Sequence, residues 1–268
     1  MEELNKNHYP GISQSWGIVG IAILAQIVLA PVYMGVINPM GKELAMLFYY
    51  ILTIGGAFAF AHYIRKRDTG LDSYPIKGDS VKLIVLISVF TLAVGVGVTD
   101  PVTSLIPMPD FFIKAFAEMM GEKGIFAFMT IAIAAPVLEE LIFRGVILDG
   151  LLKTKTPQKA ILFSSFLFAF LHLNPWQFIA AMVIGSFAGY IYYKTHNLLL
   201  CIIIHFINNS TAFLMGLFFN AEEEIGQSLV DVYGSATNVL FVVGGGIIIS
   251  AISMFLIIKE FKTRNIEV

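Results

Sequence analysis

At 268 residues the chain is long enough for a sizeable core, yet 57% of it is hydrophobic and only 13% is charged, which excludes an ordinary water-soluble domain. A net charge of -2 supplies no basic face for nucleic acid, and a single cysteine, Cys201, excludes an intrachain disulfide or a cysteine metal cage. The composition is that of an all-α, polytopic membrane protein.

The polar start, Met1 to Asn7, is followed by an apolar run without a small-residue cleavage site, so that run is expected to remain as a membrane helix. Apolar stretches of spanning length, about 20 residues each, fall at 16–38, 43–64, 82–106, 124–152, 175–194, 197–219 and 236–258, with a shorter eighth from Pro157 to His172. Gly and Pro mark the gaps, as at Asn38-Pro39, Thr69-Gly70, Asn174-Pro175 and Tyr233-Gly234. With no internal repeat or soluble insertion, residues 1–268 read as one transmembrane domain, a bundle of about eight helices.

Threading eight spans with the N-terminus inside gathers Lys6, Arg65, Lys66, Arg67, Lys77, Lys82, Lys153, Lys155, Lys159, Lys194, Lys259, Lys262 and Arg264 on the cytoplasmic side. Lys42, Lys114 and Lys123 fall outside, with the acidic run Glu222, Glu223, Glu224. Such a positive-inside bias favours both termini in the cytoplasm. Seven spans would largely cancel it, so the short stretch counts as a helix. Between Pro109 and Gly121, Phe111, Phe112, Ile113, Phe116 and Met119 alternate with Asp110, Lys114 and Glu118, the pattern of a helix lying on the outer membrane surface.

Three spans carry polar groups at hydrocarbon depth. Glu139, Glu140 and Arg144 lie within the run 124–152; His172 ends Phe168-Ala-Phe-Leu-His172; His205 and Asn209 stand four apart, on one helical face. Ionisable groups there are costly unless paired or facing a wet cavity, and convergence on one site satisfies all of them. A carboxylate and an imidazole sharing a water can take its proton and pass it to a leaving amine. A second imidazole with an amide can donate to an oxyanion. Adjacent Glu139 and Glu140 point about 100° apart on a helix, and Glu140 has the i, i+4 spacing of an ion pair with Arg144. Glu139 is thereby left for chemistry and Glu140 with Arg144 for support.

Other polar residues take blander readings. Asn208 faces about 100° away from His205 and reads as a helix contact. His196 reads as interfacial, and Asp100 and Asp149 as reaching headgroups or water. Cys201 reads as packing, and Gly244, Gly245 and Gly246 as a close helix contact.

In this order on successive spans, Glu-Glu-x-x-Phe-Arg at 139–144, Phe-x-x-x-His at 168–172 and His-x-x-x-Asn at 205–209 resemble the CAAX protease and bacteriocin-processing (Abi) family, which includes the type II CAAX prenyl endopeptidases. The resemblance covers about residues 124–220. It implies an eight-helix intramembrane glutamic protease in which Glu139 and His172 activate water and His205 and Asn209 form the oxyanion hole. No cofactor or metal is implied, and the partners would be a peptide or lipidated protein substrate and membrane lipid, in the cell membrane.

Two alternatives stand beside that reading. A zinc hydrolase could use His172, His205 and a glutamate, though no His-Glu-x-x-His motif supports it. A non-proteolytic transporter or bacteriocin-immunity protein would also place Glu and His at midplane. Pro157 to His172 spans only about 24 Å of a core about 30 Å thick. The turn at Asn174 is therefore expected to lie below the outer surface, bringing His172 toward Glu139, with the cavity opening to the cytoplasm.

Overall fold

The structure, a computed structural model, describes residues 8–218 and 227–266. Lys6 and the acidic run Glu222, Glu223, Glu224 lie outside the described residues, as do the side chains of Phe116 and Met119. Every regular element among the described residues is helical. In chain order they are α1 (Ile12–Met40), α2 (Lys42–Thr69), α3 (Val81–Thr103), α4 (Asp110–Met120), α5 (Ile125–Leu152), α6 (Pro157–Leu171), α7 (Pro175–Thr195), α8 (Leu198–Phe218), α9 (Leu229–Tyr233) and α10 (Ala236–Thr263).

Six of these, α1, α2, α3, α5, α8 and α10, are long and apolar enough to cross a membrane. α6, at 15 residues, is too short. α7 has the length, at 21 residues, but falls outside that set because Gln177, Ser186, Lys194 and three tyrosines dilute its hydropathy. The chain is a multi-pass integral membrane protein. Large apolar side chains stay exposed around the bundle, among them Val28 on α1 and Leu240, Phe241 and Phe255 on α10, where lipid rather than water is the solvent.

The helix ends follow from local chemistry. Ser80, Asn174 and Ser235 cap α3, α7 and α10 by accepting backbone N–H groups. Pro157 and Pro175 enter first turns, where a missing N–H costs nothing. Gly70 ends α2 at φ 74°, a left-handed conformation that favours glycine.

α8 lies centrally, against α3, α5 and α7, while α6 and α7 form a hairpin and α10 packs along α3. The α3–α10 contact depends on glycine: a Cβ on Gly246 would stand 2.6 Å from Gly97 Cα, whereas Gly244 and Gly245 face open space. The close approach read into all three glycines therefore belongs to Gly246. α4 lies over the α6–α7 turn, with Phe112 packed on Trp176 at 4.9 Å and the Trp176 indole N–H donating to Ile106 O.

Candidate active site

Four π-helical segments interrupt α2, α3 and α5, and two of them begin beside the polar residues. In α5, Met129–Ala134 and Leu141–Leu148 flank Glu139 and Glu140. In α2, Ile51–Gly55 starts directly after Tyr50. Each widened turn rotates the helix face, and π turns are frequent at functional sites.

The two glutamates have different surroundings, and both are buried, Glu139 at 7% exposure and Glu140 at 1%. Glu140 Oε1 accepts from Arg144 Nη1 at 2.8 Å and faces His205 Nδ1 at 3.0 Å. Arg144 Nη2 donates to Gly185 O of α7 at 2.9 Å, and its guanidinium lies 4.8 Å over the Phe168 ring. Glycine at 185 gives Arg144 room, since a Cβ there would stand 3.0 Å from Arg144 Nη2 and 3.1 Å from the Phe168 ring. Glu139 turns elsewhere: its Oε1 accepts the Tyr50 hydroxyl of α2, and its Oε2 lies 3.8 Å from His205 Nε2.

His205 thus spans the two carboxylates. With Nδ1 against a carboxylate oxygen of Glu140, that nitrogen carries a proton and Nε2 faces Glu139. His172 is set differently. Its Nδ1 lies 3.0 Å from Phe168 O, a carbonyl and therefore only an acceptor. In the neutral ring the proton sits on Nδ1 and Nε2 keeps its lone pair. No hydrogen bond or ion pair joins His172 to Glu139.

Phe168 explains its own place in the sequence pattern. Its ring meets His172 at 5.2 Å, His205 at 5.3 Å and Phe143 at 5.2 Å, edge-on in each case. One apolar ring therefore spaces both imidazoles while backing Arg144.

Asn209 Nδ2 donates to Ile131 O at 2.9 Å. Pro136, five residues beyond Ile131, has no N–H to give to the turn before it, and the amide takes up that carbonyl. Asn208, expected as a helix contact, instead donates from Nδ2 to Asn209 Oδ1 at 3.1 Å and so orients the neighbouring amide. Among the described residues no group of three His, Cys, Asp or Glu side chains is arranged to hold a metal ion.

Below the site, toward the basic loops, the protein is closed. Gly145 to Leu148 on α5 and Leu198, Leu200 and Cys201 on α8 are all buried. The segment after Gly70 folds across that end: Tyr74 lies against Gly145, Leu198 N donates to Pro75 O at 2.8 Å, and Asn197 Nδ2 donates to Lys77 O at 2.9 Å. Arg65 stacks on Tyr74 and reaches Asp149 at 3.7 Å, and Asp149 also takes Lys153 and the Tyr192 hydroxyl. Asp149 is therefore tied into a network rather than reaching for headgroups. At the opposite end His172, Asn208 and Asn209 are half-buried and Leu173 is 61% exposed. The expected opening toward the cytoplasmic loops is thus not found; the less enclosed side is the other one.

Sequence reasoning missed Tyr50, because a tyrosine in an apolar span carries no signal until its partner is known. A family model described as "Type II CAAX prenyl endopeptidase Rce1-like" matches residues 121–211, which include every residue of the three motifs. No curated protein and no solved structure matches the chain.

Proposed function

Because residues 121–211 match the Rce1-like family of type II CAAX prenyl endopeptidases, we propose that the chain is an intramembrane endopeptidase working by a glutamate-activated water, with no metal. The family makes it a membrane protease; the assignment of roles is our own reading. Glu139 and His172 hold the water between them. The His172 Nε2 lone pair or the Glu139 carboxylate removes one of its protons as the hydroxide adds to the scissile carbonyl carbon. The same proton then passes to the leaving amine as the C–N bond breaks.

The oxyanion is received by His205 and Asn209. One Nδ2 hydrogen of Asn209 is held by Ile131 O, and the second is left to donate. In its cationic form, with Nδ1–H on Glu140, His205 offers Nε2–H. Glu140 and Arg144 fix that ring. The observation that carries the reading is the division between adjacent carboxylates, Glu140 engaged by Arg144 and His205, and Glu139 bonded through Oε1 to Tyr50 with Oε2 3.8 Å from His205 Nε2.

The substrate is a peptide segment of a lipidated, CAAX-type protein or of a peptide precursor, met within the membrane. We place the chain as eight spans in the cell membrane, termini inside, on the strength of its loop charges. The closed basic end supports entry from the opposite side or from the lipid, which favours an exported precursor over a cytosolic prenylated C-terminus.

The test is cleavage of a fluorogenic peptide panel, farnesylated and unmodified, by purified protein in detergent with a chelator present. Glu139→Gln and His172→Ala are each expected to lose at least about a hundredfold in rate. Activity that survives in Glu139→Gln, or that falls to chelation and returns with zinc, refutes the mechanism.

A further inference from the structure

Glu139 takes a partner from outside the matched segment. We propose that Tyr50, on α2, is a positioning residue for this carboxylate, an inference that rests on the peptidase reading of the site. The Tyr50 hydroxyl donates to Glu139 Oε1, which fixes the rotation of the carboxylate and leaves Oε2 turned toward His205 Nε2, 3.8 Å away. Without that donor the carboxylate could swing about its last torsion, which is soft and roughly two-fold, and an oxygen aimed at water would be lost part of the time.

α2 is built to hold this phenol in place. The preceding residue, Tyr49, donates its hydroxyl to Gln26 O of α1 at 2.6 Å, which pins the rotation of α2 about its axis. Thr53 Oγ1 donates to Tyr49 O at 2.8 Å and lies 3.3 Å from Tyr50 O, satisfying carbonyls where the helix widens. The π segment Ile51–Gly55 starts at the next residue, and the α5 segment Leu141–Leu148 starts directly after Glu140. Both helices thus depart from α-geometry at the level where Tyr50 meets Glu139.

The hydroxyl acts through Glu139, so its loss should appear in the chemical step. Tyr50→Phe keeps the ring and removes the donor. It is expected to lower kcat about ten- to a hundredfold, the worth of a hydrogen bond to a charged group, with KM unchanged and a fall in Tm too small to leave the protein unfolded in the assay. Tyr63→Phe, at an exposed tyrosine of the same helix, is expected to keep wild-type kcat. In a Glu139→Gln background, Tyr50→Phe should cost nothing further.

Wild-type kcat in Tyr50→Phe overturns the proposal. So does a fall in Tm large enough to account for the lost activity in that variant, or an added loss in the Glu139→Gln background. If Glu139→Gln itself proves fully active, the peptidase reading fails first, whatever Tyr50 does.

Discussion

The sharpest test of how the site is held concerns Glu140 and Arg144. Arg144 is fully buried and Glu140 is 1% exposed, and they meet at 2.8 Å. Arg144→Met leaves the Glu140 carboxylate with His205 as its remaining donor, and Glu140 Oε2 already has no hydrogen-bond partner among the described residues. Removing one member of a buried pair costs about 3–5 kcal/mol. Loss of the cation over Phe168, about 0.5–2 kcal/mol, and of the donor to Gly185 O, about 1 kcal/mol, largely overlap with that figure. Against a typical stability of about 5–15 kcal/mol, Arg144→Met should be severe, and Glu140→Met similar. Glu140→Met/Arg144→Met buries no charge and is expected to recover about 1–3 kcal/mol relative to the sum of the singles. Peptidase activity should not return with the fold, because His205 Nδ1 has lost Glu140; a deficit of at least about tenfold is expected. Unfolding in detergent followed by fluorescence, with turnover on the same samples, reads both quantities. Additivity within about 0.5 kcal/mol, or a stable double variant with full activity, refutes the reasoning.

Two further tests address the frame of the bundle. Gly246→Val puts a side chain where even a Cβ stands 2.6 Å from Gly97 Cα; a loss of about 1–3 kcal/mol is expected, while Gly244→Ala, in open space, should stay within about 0.5 kcal/mol by the same unfolding assay. At the basic end, burial pushes the Asp79 carboxyl up, but hydrogen bonds from Arg264 and the Ser80 N–H, with the Arg264 charge, outweigh it and hold it below its ordinary 3.8. A lowered folded value means the clasp contributes fully above about pH 4 and is lost as pH falls through that lower value. Hydrogen exchange at Lys259 to Ile266, corrected for intrinsic rates, should therefore lose protection below about pH 4, and Asp79→Asn should blunt the change; an unaltered acid response in that variant assigns it elsewhere.

The membrane class and the position of the polar cluster were legible because both rest on costs that sequence shows directly. Charges inside an apolar run are conspicuous, and the four-residue spacing of Glu140 and Arg144 becomes a 2.8 Å pair whatever the tertiary structure. The 100° argument separated Glu139 from Glu140 for the same reason. Properties set by the packing of distant segments were not legible. The π turns fall outside a 3.6-residue period. Tyr50 looks like any interfacial aromatic until α2 is docked on α5. Asn208 faces away from His205, yet its amide reaches along the helix to Asn209. The closed basic end depends on Tyr74 lying over Gly145, a contact that loop charges cannot reveal.

The polar groups form one chain that explains how the membrane tolerates them. Gly185 O receives Arg144, Arg144 donates to Glu140, Glu140 faces His205, His205 faces Glu139, and Glu139 accepts from Tyr50. Four helices, α7, α5, α8 and α2, each contribute a link, so the buried charges are held by neighbours that are already fixed. Such a site needs little reorganisation when charge develops on a substrate, which is where a preorganised array gains most. His172 stands apart from this chain. It ends α6, is half-buried, and its ring is hydrogen-bonded to a carbonyl of its own helix and packed edge-on against Phe168. On the proposed mechanism, a base held this way can turn toward a water at Glu139 while His205 stays in place. The linked chain therefore holds Glu139 and His205 in place, and the adjustable part of the proposed mechanism is the base His172.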